Sequence, residues 1–201
     1  MRQRRAYRQA GGFTLIEMMV VIAILGVLTA VLLPNVTKVI EKSRLARTAA
    51  ELQSIAAAME AYLADVGSYP PAVGEGSIGG GWGADRGLAS RSSVTSAHLA
   101  SWNGPYLKEW PIKTAWGGIV GCSAEGAYYL HPPIGWIDRD GIAGNDVWIH
   151  MNPYCVRYPT AAAMQLDQLM DDGNPSTGRM RLTGGVPEYI YYYVGEGTRS
   201  W

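Results

Sequence analysis

Glu17 stands four residues into a run, Phe13–Leu33, that is otherwise apolar except for Thr14 and Thr29. A carboxylate inside a membrane-type helix costs roughly 2.5–3.5 kcal/mol on insertion scales, so it needs a counter-charge or a task. A carboxylate near the interface that reaches out to water is the plainer reading, but Glu is short for that. Cys122 and Cys155 could form a disulfide if their part of the chain is exported; two separate buried thiols are the alternative. There is no C-x-x-C, so a redox or zinc role has little support. His98, His131 and His150 fall in no H-E-x-x-H or G-x-S-x-G frame and read as structural, so no enzyme is predicted.

The elements that must position these groups follow from the apolar run. Its 21 residues, as a helix, span about 31 Å, enough to cross a bilayer core. Arg2, Arg4, Arg5 and Arg8 precede it without an acid, which places the N-terminus in the cytoplasm and the rest outside. The run is long for a secretory signal and no A-x-A site follows it, so the segment is expected to stay attached. Gly26 and Ala30 form a small-xxx-small pair that lets helices approach closely, and Pro34 is expected to kink or locally melt the helix. The chain has 17 basic and 17 acidic residues, which argues against nucleic-acid binding by bulk charge. Losing the four leader arginines would leave 13 basic against 17 acidic, a formal −4.

Gly11-Gly12-Phe13-Thr14-Leu15-Ile16-Glu17, followed by Met18-Met19-Val20-Val21-Ile22, resembles the class III signal of type IV pilins and pseudopilins. The resemblance implies cleavage by prepilin peptidase between Gly12 and Phe13, and N-methylation of the new Phe13 amine. It further implies that Glu17 pairs with the Phe13 amine of a neighbouring subunit as a filament grows, and that Pro34 is the family's helix-breaking proline. The physics agrees with these roles. Cleavage creates the cation that Glu17 lacks, and a pairing between neighbours rejects misregistered subunits, because an unpaired buried carboxylate is strongly penalised. The contact is head-to-tail and generates an open helix.

Beyond Pro34 the helical signal resumes. Leu45, Leu52, Met59 and Val66 recur every seven residues, Ile55 and Tyr62 form a second seam, and charges lie between them. Gly67 and Pro70-Pro71 end the helix. From Phe13 to Val66 it would be about 80 Å long. A two-stranded coiled coil is the alternative use of this stripe. Residues 74–104, with the run Gly79-Gly80-Gly81-Trp82-Gly83, read as a flexible loop, and no Gly-Lys-Ser/Thr makes them a phosphate loop. Ala127–Leu130, Asp146–His150, Arg179–Leu182 and Glu188–Val194 read as strands. Ala161–Met170 reads as a short helix with Thr160 as N-cap and Gly173 as stop. The fold class is α+β: a long N-terminal helix packed on a small, mainly antiparallel sheet. The organisation is a leader (1–12), a transmembrane and assembly helix (13–33), an amphipathic helix (34–66), and a loop and sheet head (67–201).

Gly104-Pro105-Tyr106-Leu107-Lys108-Glu109-Trp110-Pro111 and Ala115-Trp116-Gly117-Gly118 are similar to a segment of the major pseudopilin of type II secretion. In that family a later acidic loop binds calcium. The corresponding stretch here, Asp138–Asp146, offers Asp138, Asp140 and Asp146, with Asn145 and backbone carbonyls, as hard oxygen ligands for Ca²⁺. A solvated turn is the alternative; Asp171-Asp172-Gly173-Asn174 is a weaker copy of the same chemistry, and there the turn is the favoured reading. About 50 residues follow Asn152, more than that family usually carries. The expected function is therefore a filament subunit at the cytoplasmic membrane, foremost of the type II secretion pseudopilus, with a type IV pilus (adhesion, motility or DNA uptake) as the alternative. The implied partners are further copies of the chain, prepilin peptidase, minor pilins or pseudopilins, the inner-membrane assembly platform and the membrane, with no nucleic acid expected. The head is expected in the periplasm.

Overall fold

The computed structural model describes residues 12–71, 85–117, 128–131, 137–142, 144–151, 158–183 and 189–197. Helix α1 covers Leu15–Val66. The chain divides into two compact units between Lys42 and Ser43.

In the first unit the apolar side chains of α1 have nothing to pack on among the described residues. Leu15 is 78% exposed and Leu28 53%. A helix so uniformly apolar and bare needs lipid or neighbouring helices as its solvent. The hydroxyl in the middle of the apolar run is satisfied by the helix itself, since Thr29 Oγ1 donates to the Leu25 carbonyl at 2.7 Å. Space beside Gly26 is open, as a close helix approach requires. The helical backbone continues through Pro34, so the helix does not melt there. A proline removes one backbone N–H, and the turns on either side hold their helical form around that single missing bond.

In the second unit one stripe of α1 is buried: Leu45, Ala49, Leu52, Ile55, Ala56, Met59 and Tyr62. These are the sequence-predicted seams, and they share one core with the sheet. The stripe is thus covered within its own chain, which leaves no role for a coiled coil. Strands β1 (Tyr128–His131), β2 (Asp146–Met151), β3 (Met180–Thr183) and β4 (Tyr189–Glu196) form an antiparallel sheet in the order β1-β2-β4-β3. Period-2 alternation sorts the residues. Val147, Ile149, Met151, Ile190, Tyr192 and Val194 join the core with α1, while Trp148, Tyr191 and Tyr193 pack with Ile137 in a second cluster. A register shift between Val147 and Trp148 re-aims the start of β2. Helix α2 (Thr160–Met170) adds Ala162, Ala163 and Leu166 to the main core. Its N-cap is Pro159 rather than Thr160: Thr160 is already helical, and the fixed φ of Pro159 sets up the turn.

The helix and sheet are also tied by a polar chain. Tyr128 Oη donates to Glu51 Oε2 at 2.7 Å, and Arg47 Nε donates to Glu51 Oε1 at 2.8 Å. Burial first, then the Glu51 charge, hold the Tyr128 hydroxyl well above its usual range, so it stays a donor.

Residues 85–117 are packed, which corrects the flexible-loop expectation over 85–104. Leu88 is fully buried, and its carbonyl accepts from Tyr106 N and Leu107 N at 2.8 and 2.9 Å. Trp102 Nε1 donates to the Gly87 carbonyl at 2.7 Å. The Tyr62 ring meets Tyr106 and His98 edge-on, and its hydroxyl lies 2.7 Å from His98 Nδ1. At Gly104 a Cβ would come within 2.8 Å of the Trp102 and Tyr106 rings, so only glycine fits between them.

Candidate functional site

The N-terminus of α1 is closed by a reciprocal cap. Glu17 Oε2 accepts from the Thr14 backbone N–H and from Thr14 Oγ1, both at 2.8 Å, while Glu17 N donates to Thr14 Oγ1 at 3.3 Å. This is a capping box, T-x-x-E, and it holds the carboxylate against the positive end of the helix dipole. Sequence reasoning passed over Thr14, although the four-residue pattern was there to be read. The cap gives the Glu17 carboxylate hydrogen-bond donors within its own first turn. Phe13 is 81% exposed, and nothing crowds Gly12. Among the described residues, the bonds Glu17 accepts fall on Oε2 and none falls on Oε1.

The second cluster lies at the entry to β2. Asp138 Oδ1 accepts from Asp140 N at 3.0 Å and Gly141 N at 2.7 Å. Asp140 Oδ1 accepts from Ile142 N at 2.9 Å, and Asp146 Oδ2 from Arg139 N at 2.6 Å. Gly141 and Gly144 have φ of +88° and +84°, which folds the loop back on itself. One carboxylate oxygen each from Asp138, Asp140 and Asp146 lie within 4.8 Å of one another. Asp146 is only 1% exposed. Its Oδ1 and the Asn145 Oδ1 are buried without a hydrogen-bond partner among the described residues. Burial pushes the Asp146 carboxyl up, and the charges of Asp140 and Asp138 add to that. The bond from Ile142 N holds the exposed Asp140 below the ordinary range. Hard, mostly anionic oxygens with two buried acceptors unpartnered fit a calcium ion, and the four predicted ligand residues are brought together.

Asp171–Asn174 form the predicted turn. Asp172 Oδ1 accepts from Asn174 N at 2.8 Å, and Asn174 Oδ1 from Ser176 N at 3.1 Å. Asp167, one helical turn before Asp171, went unnoticed in the sequence, yet it is fully buried. Burial, then the charges of Asp171 and Asp172, push its carboxyl up to about 6. His98 and His150 are structural as expected: burial lowers His98, and His150 stacks on Tyr191 with ring centroids 4.7 Å apart. Cys122 and Cys155 lie outside the described residues.

A bare, membrane-length apolar helix that continues into an antiparallel α+β head defines a class: a membrane-anchored subunit built to hand its stalk to lipid or to neighbours. Known proteins narrow that class. The family described as "Prokaryotic N-terminal methylation motif" matches residues 7–33, and "PilW, C-terminal" matches residues 39–128. Type II secretion system core protein G of Klebsiella pneumoniae is 32% identical over 109 residues, 53% of this chain and 69% of that protein. The protein of the same name from Pseudomonas aeruginosa is 29% identical over 145 residues, 69% of this chain and 92% of that protein. The type IV major alpha-pilin of Moraxella bovis is 48% identical over 52 residues, 26% of this chain and 33% of that protein. No solved structure matches. The chain belongs to the type IV pilin and pseudopilin family, whose members are structural filament subunits.

Proposed function

We propose that this chain is a subunit of a type II secretion pseudopilus, a short filament that grows from the inner membrane and pushes folded cargo outward. The supporting observation is the reach of the similarity. It extends over 92% of the Pseudomonas secretion protein but only 33% of the Moraxella pilin, so it takes in the head as well as the stalk common to both. In this reading prepilin peptidase cuts between Gly12 and Phe13 and methylates the new amine. Glu17 Oε1 then receives the Phe13 amine of a neighbour, and the bare stalks bury one another. The assembly platform, minor pseudopilins and a separate motor supply the remaining parts, and the head lies in the periplasm. Deleting the gene is expected to abolish exoprotein release while the cargo accumulates folded in the periplasm. Unimpaired release, together with loss of long surface fibres, would transfer the assignment to a type IV pilus.

Calcium is proposed at Asp138, Asp140, Asn145 and Asp146, where it supplies the positive charge the buried Asp146 lacks and locks the entry to β2. At a hundredfold excess over Kd such binding stabilises by about 2.7 kcal/mol. In a thermal melt of the detergent-solubilised chain that is a rise of roughly 5–10 °C over the chelated protein. Asp140→Ala removes the share belonging to this loop. The same calcium response in Asp140→Ala as in the parent chain would leave the loop a plain turn.

A further inference from the structure

A second acidic cluster lies at the end of α2, away from the loop at β2. Asp167 is in the last turn of α2, Asp171 is its C-cap, and Asp172 follows. One carboxylate oxygen from each lies within 4.8 Å of the others. Asp171 and Asp172 are anchored by their neighbours. Asp171 Oδ2 accepts from Met180 N at 2.9 Å, and Asp172 Oδ2 from Thr177 Oγ1 at 2.6 Å. Gly178, at φ +75°, makes room for this, since a Cβ there would collide with the Asp171 carboxylate. Asp167 is different. It is 0% exposed, and both its oxygens are buried without a hydrogen-bond partner among the described residues.

Two facts indicate that something positive is missing. A buried carboxylate with neither oxygen bonded is among the least favourable groups a fold can carry. The three carboxylates also gather at the negative end of the α2 dipole, where cations are favoured, and the last turn of α2 holds no basic residue. Arg181 is the nearby cation, but no hydrogen bond joins it to Asp167, and its own Nη1 is buried without a partner. The cluster offers only oxygens, on an irregular loop rather than an octahedral cage, which favours calcium over magnesium and excludes the thiolate- and imidazole-seeking metals.

We infer that Asp167, Asp171 and Asp172 form a second calcium site, one that clamps the C-terminal end of α2 to the loop leading into β3. It is independent of the loop at Asp138–Asp146. Its ligands come from the stretch after Asn152, where this chain exceeds the usual length of the major pseudopilins it resembles.

The test is calorimetric titration of calcium into the chelator-stripped, detergent-solubilised full chain, carried out in the Asp140→Ala background so that the loop at β2 is silenced. One further equivalent of calcium is expected there. Asp172→Asn, a near-isosteric change at an exposed position, should weaken it at least tenfold. Asp167→Asn should abolish it, and Arg181→Gln should keep or tighten it. Three results overturn the inference: no uptake in the Asp140→Ala protein, uptake indifferent to Asp172→Asn, or loss of uptake in Arg181→Gln. If the parent chain takes up one calcium and Asp140→Ala none, the second site fails while the first stands. If uptake is unchanged by Asp140→Ala but lost on Asp172→Asn, the first fails and the second stands.

Discussion

Glu17→Ala is expected to insert into the membrane and to lose its leader normally, yet to yield at least a hundredfold less filament. Insertion should not suffer, because the substitution removes a carboxylate that costs roughly 2.5–3.5 kcal/mol in a membrane helix. The helix loses its capping box with Thr14, a change of about 1 kcal/mol confined to the first turn. Assembly is another matter. Breaking a buried ion pair by deleting one partner costs about 3–5 kcal/mol, since the other charge is stranded. In the proposed pairing the stranded charge would be the methylated Phe13 amine, and every 1.4 kcal/mol is a factor of ten in subunit addition. Thr14→Val separates the two roles of the carboxylate. It removes the two bonds made by Thr14 Oγ1, keeps the one from the residue 14 backbone N–H and leaves Glu17 charged, so its filaments should form at near the parental level. Sheared-filament yield, scored beside leader cleavage on the same cells, decides the matter. Glu17→Ala filaments at parental yield would end the pairing idea, and equal loss in both variants would show the carboxylate to be a cap alone.

The legibility of this chain follows a physical divide. Periodic features were readable: the seams through Leu45, Leu52, Met59, Ile55 and Tyr62 are buried, and four strands lie within a residue or two of their predicted positions. Periodicity reports burial of one face, which is a local property. The clustering of Asp138, Asp140 and Asp146 beside Asn145 was also readable, because neighbours in sequence on a glycine-bearing turn are neighbours in space. What could not be read depends on distant contacts. The stretch 85–104 has loop composition, yet Leu88 is fully buried because Tyr106 and Leu107 close over it. Asp167 looks like any polar helix position until α2 is docked, and the strand order β1-β2-β4-β3 is written in no single segment. The Thr14–Glu17 cap is local, and its T-x-x-E spacing makes it legible in the sequence alone.

Leu52→Ala should destabilise the head by about 3–4 kcal/mol, whereas Leu28→Ala, the same truncation in the same helix, should leave head stability within about 0.5 kcal/mol. Leu52 is fully buried in the core shared by α1 and the sheet, so its removal loses transfer energy and leaves a cavity that packed neighbours cannot fill. Leu28 is 53% exposed, so among the described residues it is not part of a packed core. Its methyl groups matter to lipid and to neighbouring stalks, where each full burial contributes about 2 kcal/mol. The two variants should therefore separate in readout. Melting of the detergent-solubilised chain should fall by on the order of 10 °C for Leu52→Ala and hardly move for Leu28→Ala. Filament resistance to detergent should show the reverse order, with Leu28→Ala filaments dissociating first and any that Leu52→Ala forms keeping a sound stalk. A drop in head melting for Leu28→Ala as large as for Leu52→Ala would mean that the first unit is held by the second. The bare face of α1 would then be spent inside the molecule, with little left to drive polymerisation.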